Sequence, residues 1–144
     1  MDIRKTRTWA EISLSALRGN AREIQRVLPE GCGMLGVVKA DGYGHGAVRV
    51  AAALREAGCR YLAVACPQEA LALCEAGETL PILILGAVDA AFASEMAENN
   101  ITLAVECAEK GYALSEALKP GEKLKIHLKL DTGMGRLGFY AKDE

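Results

Sequence analysis

The sequence predicts an α/β protein, part of a (β/α)8 barrel of the TIM type, with about five parallel strands alternating with helices. Three observations point there. Short apolar runs of strand length alternate with stretches of helical periodicity. Glycine or proline punctuates the ends of the helical stretches. The strands begin roughly 20 to 25 residues apart, a tight βα rhythm that suits such a barrel. A doubly wound open sheet is the alternative.

Taken in order, Thr6 to Ile12 reads as an opening strand. Ser13 then offers a cap for a helix over Leu14 to Leu28, ended by Pro29 and Gly31. Met34 to Val38 is a short apolar strand that ends at Lys39. A helix follows over about Ala47 to Ala57, closed by Gly58. Tyr61 to Ala65 is the next strand, and Pro67 suits the first turn of a helix running to Ala76 and Gly77. Ile82 to Leu85 is a strand, Ala90 to Glu98 a helix and Ile101 to Val105 a strand. Ala108 to Leu118 is a helix stopped by Pro120 and Gly121, and Leu124 to Leu130 is a strand that runs into a glycine-rich loop. Five strands thus follow one extra strand and one extra helix, whereas a closed barrel needs eight. A parallel strand without a neighbour leaves an open apolar edge. Residues 1–144 are therefore expected to be the amino-terminal part of a barrel domain, completed by further sequence or by another chain.

Hydrophobic residues make up 51% of the chain, enough for a core and against disorder. Seventeen basic and nineteen acidic residues are scattered, for a net charge of −2, so no basic stripe marks a nucleic-acid surface. The five cysteines are odd in number and form no C-x-x-C pair, which suggests neither a disulfide framework nor a zinc site. Reduced thiols in a cytosolic protein are the simplest reading. Met1 to Ala10 is charged and holds no signal-peptide core. No apolar run approaches the roughly 20 residues of a membrane helix, so a cytoplasmic location and no membrane partner are expected.

Two segments concentrate chemistry. In Val37-Val38-Lys39-Ala40-Asp41-Gly42-Tyr43-Gly44-His45-Gly46, a lysine ends a buried strand beside a glycine-rich turn. Carboxyl ends of parallel strands form the active-site face of such folds. Apolar walls there favour the free amine that a Schiff base with an aldehyde requires. Tyr43 is placed to hydrogen-bond an anionic group, and the glycines admit close approach of a ligand. A strand-end lysine that merely reaches solvent is the competing reading.

The second segment, Leu124 to Gly138, alternates strictly at first. Leu124, Ile126, Leu128 and Leu130 share one face, and Lys125, His127, Lys129 and Asp131 share the other. A polar face on a parallel strand means either solvent or a polar barrel interior, and the periodicity does not choose. In a barrel, strands one and five oppose each other across the mouth, so Lys39 would look towards Lys129 and Arg136. Two lysines and an arginine suit an anion, and Arg136 is suited to hold a carboxylate bidentately. Gly133-Met134-Gly135-Arg136-Leu137-Gly138 also matches the dinucleotide fingerprint G-x-G-x-x-G, which would need a helix opening at the loop. The two histidines, His45 and His127, lack a third ligand at metal spacing.

Val38 to Gly46 closely resembles the cofactor-lysine signature of alanine racemases. Asp131-Thr132-Gly133-Met134-Gly135-Arg136-Leu137-Gly138 resembles that family's second signature, in the same order and at a fitting separation. The opening Trp9-Ala10-Glu11-Ile12, followed by a helix with Asn20, is similar to the family's start. The resemblance implies a (β/α)8 barrel followed by a β-rich domain that lies outside these 144 residues. It implies pyridoxal 5'-phosphate as cofactor, no metal, and interconversion of L- and D-alanine for cell-wall synthesis, with a homodimer in the complete enzyme. Lys39 would hold the cofactor and act as one of two catalytic bases, and Tyr43 would bind its phosphate. Arg136 would hold the substrate carboxylate or the cofactor's phenolic oxygen, and Met134 would lie beside the substrate. Lys129, carbamylated in several members, would position Arg136. The second base, a tyrosine of the partner subunit, has no counterpart here, nor does the arginine facing the pyridine nitrogen, so the 144 residues alone are expected to be inactive. A racemase of another amino acid such as serine, or a barrel that binds the cofactor without catalysis, are the alternatives.

Overall fold

The computed structural model describes residues 7–140. One sheet is built from β1 (Leu35–Val37), β2 (Tyr61–Val64), β3 (Ile82–Ile84), β4 (Thr102–Val105) and β5 (Lys125–Leu128). Its order is β1-β2-β3-β4-β5, and every adjacent pair is parallel. A doubly wound sheet must reverse its order at a switch point. This one never does, so that alternative is excluded. Successive right-handed crossovers in one direction carry all the intervening helices to a single face.

Those helices are α3 (Ala47–Glu56), α4 (Pro67–Glu75), α5 (Ala93–Glu98) and α6 (Ala108–Glu116), with α1 (Leu14–Val27) ahead of β1. Each is set by its own sequence. Ser13 Oγ accepts the Ala16 N–H at 3.2 Å and opens α1. Pro67 at the first turn starts α4, where its missing N–H costs nothing. Asp89 caps a 3-10 turn over Ala90–Phe92, and α5 continues from it.

The alternation of the strands sorts their side chains. Leu62, Val64, Ile82, Ile84, Leu103 and Val105 face the helices and meet Val50, Leu73, Met96 and Leu114 in one core. The other face carries Leu35, Tyr61, Leu83, Thr102 and, on β5, Lys125 and His127. There the Tyr61 hydroxyl lies 2.7 Å from Thr102 Oγ1 and its ring 6.3 Å from that of His127. The polar face of β5 therefore lies on the side of the sheet away from the helices, where Lys125 and His127 are exposed. β5 is exposed along its length because it is an edge strand, paired only with β4 among the described residues. At the opposite edge, an open apolar groove of about 500 Å³ follows β1, lined by Leu17, Ile24, Met34, Leu35, Val37 and Tyr43 among others.

Three expectations need correction. The opening strand over Thr6 to Ile12 is absent: residues 8–13 are irregular, and Thr6 lies outside the described residues. The segment buries almost nothing, with Trp9 61% exposed, so a strand there has no surface to pair or pack against. The helix expected from Ala90 begins as a 3-10 turn. The strand expected over Leu124 to Leu130 ends at Leu128, and β6 (Leu130–Asp131) leaves the sheet to pair in parallel with β7 (Phe139–Tyr140).

Ile84 is fully buried on the middle strand. Ile84→Ala should cost about 2–5 kcal/mol of stability in urea unfolding, whereas a loss under about 1 kcal/mol would mean that the helix-side layer is not a packed core.

Candidate active site

Lys39 stands one residue beyond β1, after Val38, and opens α2 (Lys39–Gly44), a single turn wound the wrong way. Ala40, Asp41, Gly42 and Tyr43 all have φ between 50° and 62° and ψ between 38° and 52°, the left-handed region. For a residue with a Cβ this winding costs roughly 1–2 kcal/mol each, and Ala40, Asp41 and Tyr43 all carry one. Two carboxylates hold the turn. Glu69 Oε1 accepts the Ala40 N–H at 2.7 Å, and Asp41 Oδ1 accepts the Ala47 N–H at 2.7 Å. Backbone hydrogen bonds to a charged group contribute about 1.5–3 kcal/mol apiece, the right size to offset the winding. The second bond also caps α3, whose own N-cap, Gly46, has no side chain to do so. Gly42 suits its position: it is buried at positive φ, and a Cβ would sit a tight 3.3 Å from the Ala47 backbone.

The result places Lys39 and Tyr43 together. Lys39 Nζ lies 6.0 Å from the centroid of the Tyr43 ring, at the edge of the cation–π range. Lys39 is half-buried, and Tyr43 is 59% exposed with its phenol available to a ligand. Among the described residues the His45 ring bonds only to the Tyr43 carbonyl, at 3.1 Å.

A second loop leaves the other edge of the sheet. Lys129 donates its N–H to Val105 at 2.9 Å and its ammonium to the Leu85 carbonyl at 3.1 Å, so its charge is tied to the end of β3. Beyond it, Asp131 organises the loop. Its Oδ1 accepts the N–H groups of Gly133 and Gly135 at 2.9 and 3.1 Å, and Oδ2 accepts that of Arg136 at 3.0 Å. Those donors, that of Gly133 foremost, hold the Asp131 carboxyl below the ordinary aspartate range. Gly138 closes the loop at φ 134°, where a Cβ would come within 2.6 Å of the Asp131 nitrogen. β7 follows it, not a helix, so the glycines do not form a dinucleotide-binding turn.

Met134 and the Arg136 side chain are exposed on this loop, and among the described residues Arg136 forms no ion pair. Lys39 and Tyr43 form one group; Lys129, Met134 and Arg136 form another. No hydrogen bond, ion pair or ring contact joins the two among the described residues, because β1 and β5 are the opposite edges of the sheet. Both groups stand at carboxyl ends of strands. Together they offer one amine, one phenol, a tethered ammonium and an unpaired guanidinium, a set suited to a ligand with an aldehyde and anionic groups. Sequence reasoning missed Glu69 and the part played by Asp131. The signal for Asp131 was in plain view, a carboxylate followed by glycines that leave their N–H groups free to turn inward.

Residues 12–144 match the family model described as "Alanine racemase, N-terminal domain". An alanine racemase of Methanococcus maripaludis is 47% identical over 132 residues, covering 91% of this chain and 35% of that protein. The structure of alanine racemase from Clostridium difficile 630 superposes with a TM-score of 0.89 at 43% identity, covering 94% of this chain and 36% of that one. A histidine racemase from Leuconostoc mesenteroides subsp. sake gives a TM-score of 0.82 at 35% identity, covering 90% of this chain and 35% of that one. The chain thus spans about a third of the length of the relatives it matches.

Because Asp131 is more acidic folded than unfolded, its hold on the loop is fully present above the ordinary aspartate value of about 3.9. It is lost as pH falls through the lower folded value. The amide signals of Gly133 and Gly135 should therefore titrate together with a midpoint below that value. A midpoint at or above it would contradict the clamp.

Proposed function

The chain belongs to the alanine racemase amino-terminal domain family, and on that premise we propose that it forms the first part of a pyridoxal-phosphate-dependent barrel that interconverts L- and D-alanine. The observation that carries the reading is Lys39, held at the carboxyl end of β1 on a left-handed turn beside the Tyr43 phenol. The donor set fits the cofactor: an amine for its aldehyde, and a phenol and cations for its phosphate and phenolic oxygen. Bound to an amino acid, the cofactor makes the hydrogen on the α-carbon acidic.

Lys39 would hold the cofactor through Nζ and, once released, take or return that proton on one face. Tyr43 would donate its hydroxyl to the phosphate. Arg136, whose main-chain N–H is fixed by Asp131, would aim its guanidinium at the substrate carboxylate or the phenolic oxygen. Met134 would line the substrate side. Lys129, tied to Leu85, would steady Arg136, through a carbamate if its amine acquires one.

Racemisation needs a second proton-moving group on the opposite face. In this reading it comes from a partner subunit, and a β-rich domain and the remaining strands come from outside the 144 residues. The reaction would supply D-alanine for peptidoglycan in the cytoplasm; no helix among the described residues is long and apolar enough to cross a membrane. A racemase of another amino acid is the second reading, since a histidine racemase shares this part of the fold.

Mixing the chain with pyridoxal phosphate, reducing with borohydride and mapping the modified lysine by mass spectrometry should find Lys39 as the dominant site, with the label lost in Lys39→Ala. Label spread over the other lysines would contradict the assignment.

A further inference from the structure

We propose that Glu69 is a positioning residue for Lys39, its carboxylate joining the turn that carries the amine to the end of the neighbouring strand; this rests on the reading of Lys39 as the cofactor amine. Glu69 lies in the first turn of α4 and is half-buried. Its two oxygens serve different segments. Oε1 accepts the N–H of Ala40 and Oε2 the N–H of Ala65, both at 2.7 Å.

The residues on either side of Lys39 are both held, one by β2 and the other by Glu69 itself. Val38 donates its N–H to the Ala63 carbonyl at 2.8 Å, and Ala40 donates its own to Glu69. Lys39 cannot shift along β1 or rotate about it without breaking one of these bonds. Ala65 is a firm anchor in turn, because Gly86 packs so closely against its carbonyl oxygen that a Cβ there would collide with it.

A glutamate early in a helix often does no more than cap it. In that arrangement the carboxylate reaches back to the N–H of the N-cap residue, which here is Cys66. Glu69 passes over Cys66 to Ala65 and spends its other oxygen on Ala40, 29 residues upstream. That second bond, which a cap would not make, joins α4 to the lysine turn.

The test is Glu69→Gln in the full chain. The amide keeps the size but has one acceptor, so its NH2 group must face one of the two N–H donors. Specific borohydride-trapped labelling of Lys39 by pyridoxal phosphate should fall by roughly tenfold or more, since small displacements of a reacting group are costly in rate. The far-ultraviolet circular dichroism and labelling of the remaining lysines should stay unchanged. Labelling of Lys39 within twofold of the parent would overturn the proposal. A parent chain that does not label at Lys39 sinks the cofactor reading itself. The clamp is tested independently in the unsubstituted chain, whatever the variant's folding. The Ala40 and Ala65 amide nitrogens should each show a coupling across the hydrogen bond to the Glu69 side-chain carboxyl carbon in nuclear magnetic resonance spectra. Absence of that coupling at either amide would overturn the clamp.

Discussion

The lysine end of the sheet depends on one constraint: five residues in succession, Ala40 to Gly44, must adopt positive φ. Local chemistry alone would not choose it, because alanine and tyrosine disfavour that region. The winding persists because carboxylates take N–H groups at its start and beyond its end, Glu69 at Ala40 and Asp41 at Ala47. Strain of this kind survives only where the surroundings over-determine it, and it collects where a side chain must be presented in an unusual way. Here the presented group is the Lys39 amine, with the Tyr43 ring turned back alongside it.

The same solution recurs across the sheet. The loop after Lys129 has its own carboxylate, Asp131, which gathers three backbone N–H groups and fixes the base of Arg136. In both places a rigid strand delivers the chain to the active-site face and an anionic side chain freezes the irregular backbone that follows. The unreversed strand order brings both loops to the same end of the molecule, and the helix-side core of Leu62, Ile84 and Leu103 keeps that platform stiff. The division of labour is that of barrel enzymes generally, with stability in the strands and chemistry in the loops beyond them.

Much of this was legible in the sequence. The apolar runs at Tyr61, Ile82 and Thr102 announced strands, and Ser13, Pro67 and the glycines announced helix boundaries. Lys39 with Tyr43, and Lys129 with Arg136, were legible as two charged groups at strand ends. The left-handed winding was not, because it is held by Glu69, a tertiary partner that no local pattern reveals. The break after Leu128 was hidden because Lys129 and Asp131 continue the alternation of β5 while their backbone turns to a new partner at Phe139. The opening strand failed for the opposite reason: its pattern was strand-like, but Trp9 and its neighbours found nothing to cover them.

The central claim is that Lys39 is presented by a left-handed turn. Nuclear magnetic resonance distances between the amide proton and Hα within each residue decide it, since that distance is short at positive φ and longer in a right-handed helix or a strand. The account predicts short distances at Ala40, Asp41 and Tyr43 together. Long distances at these residues would mean an ordinary right-handed turn after β1, and would contradict it.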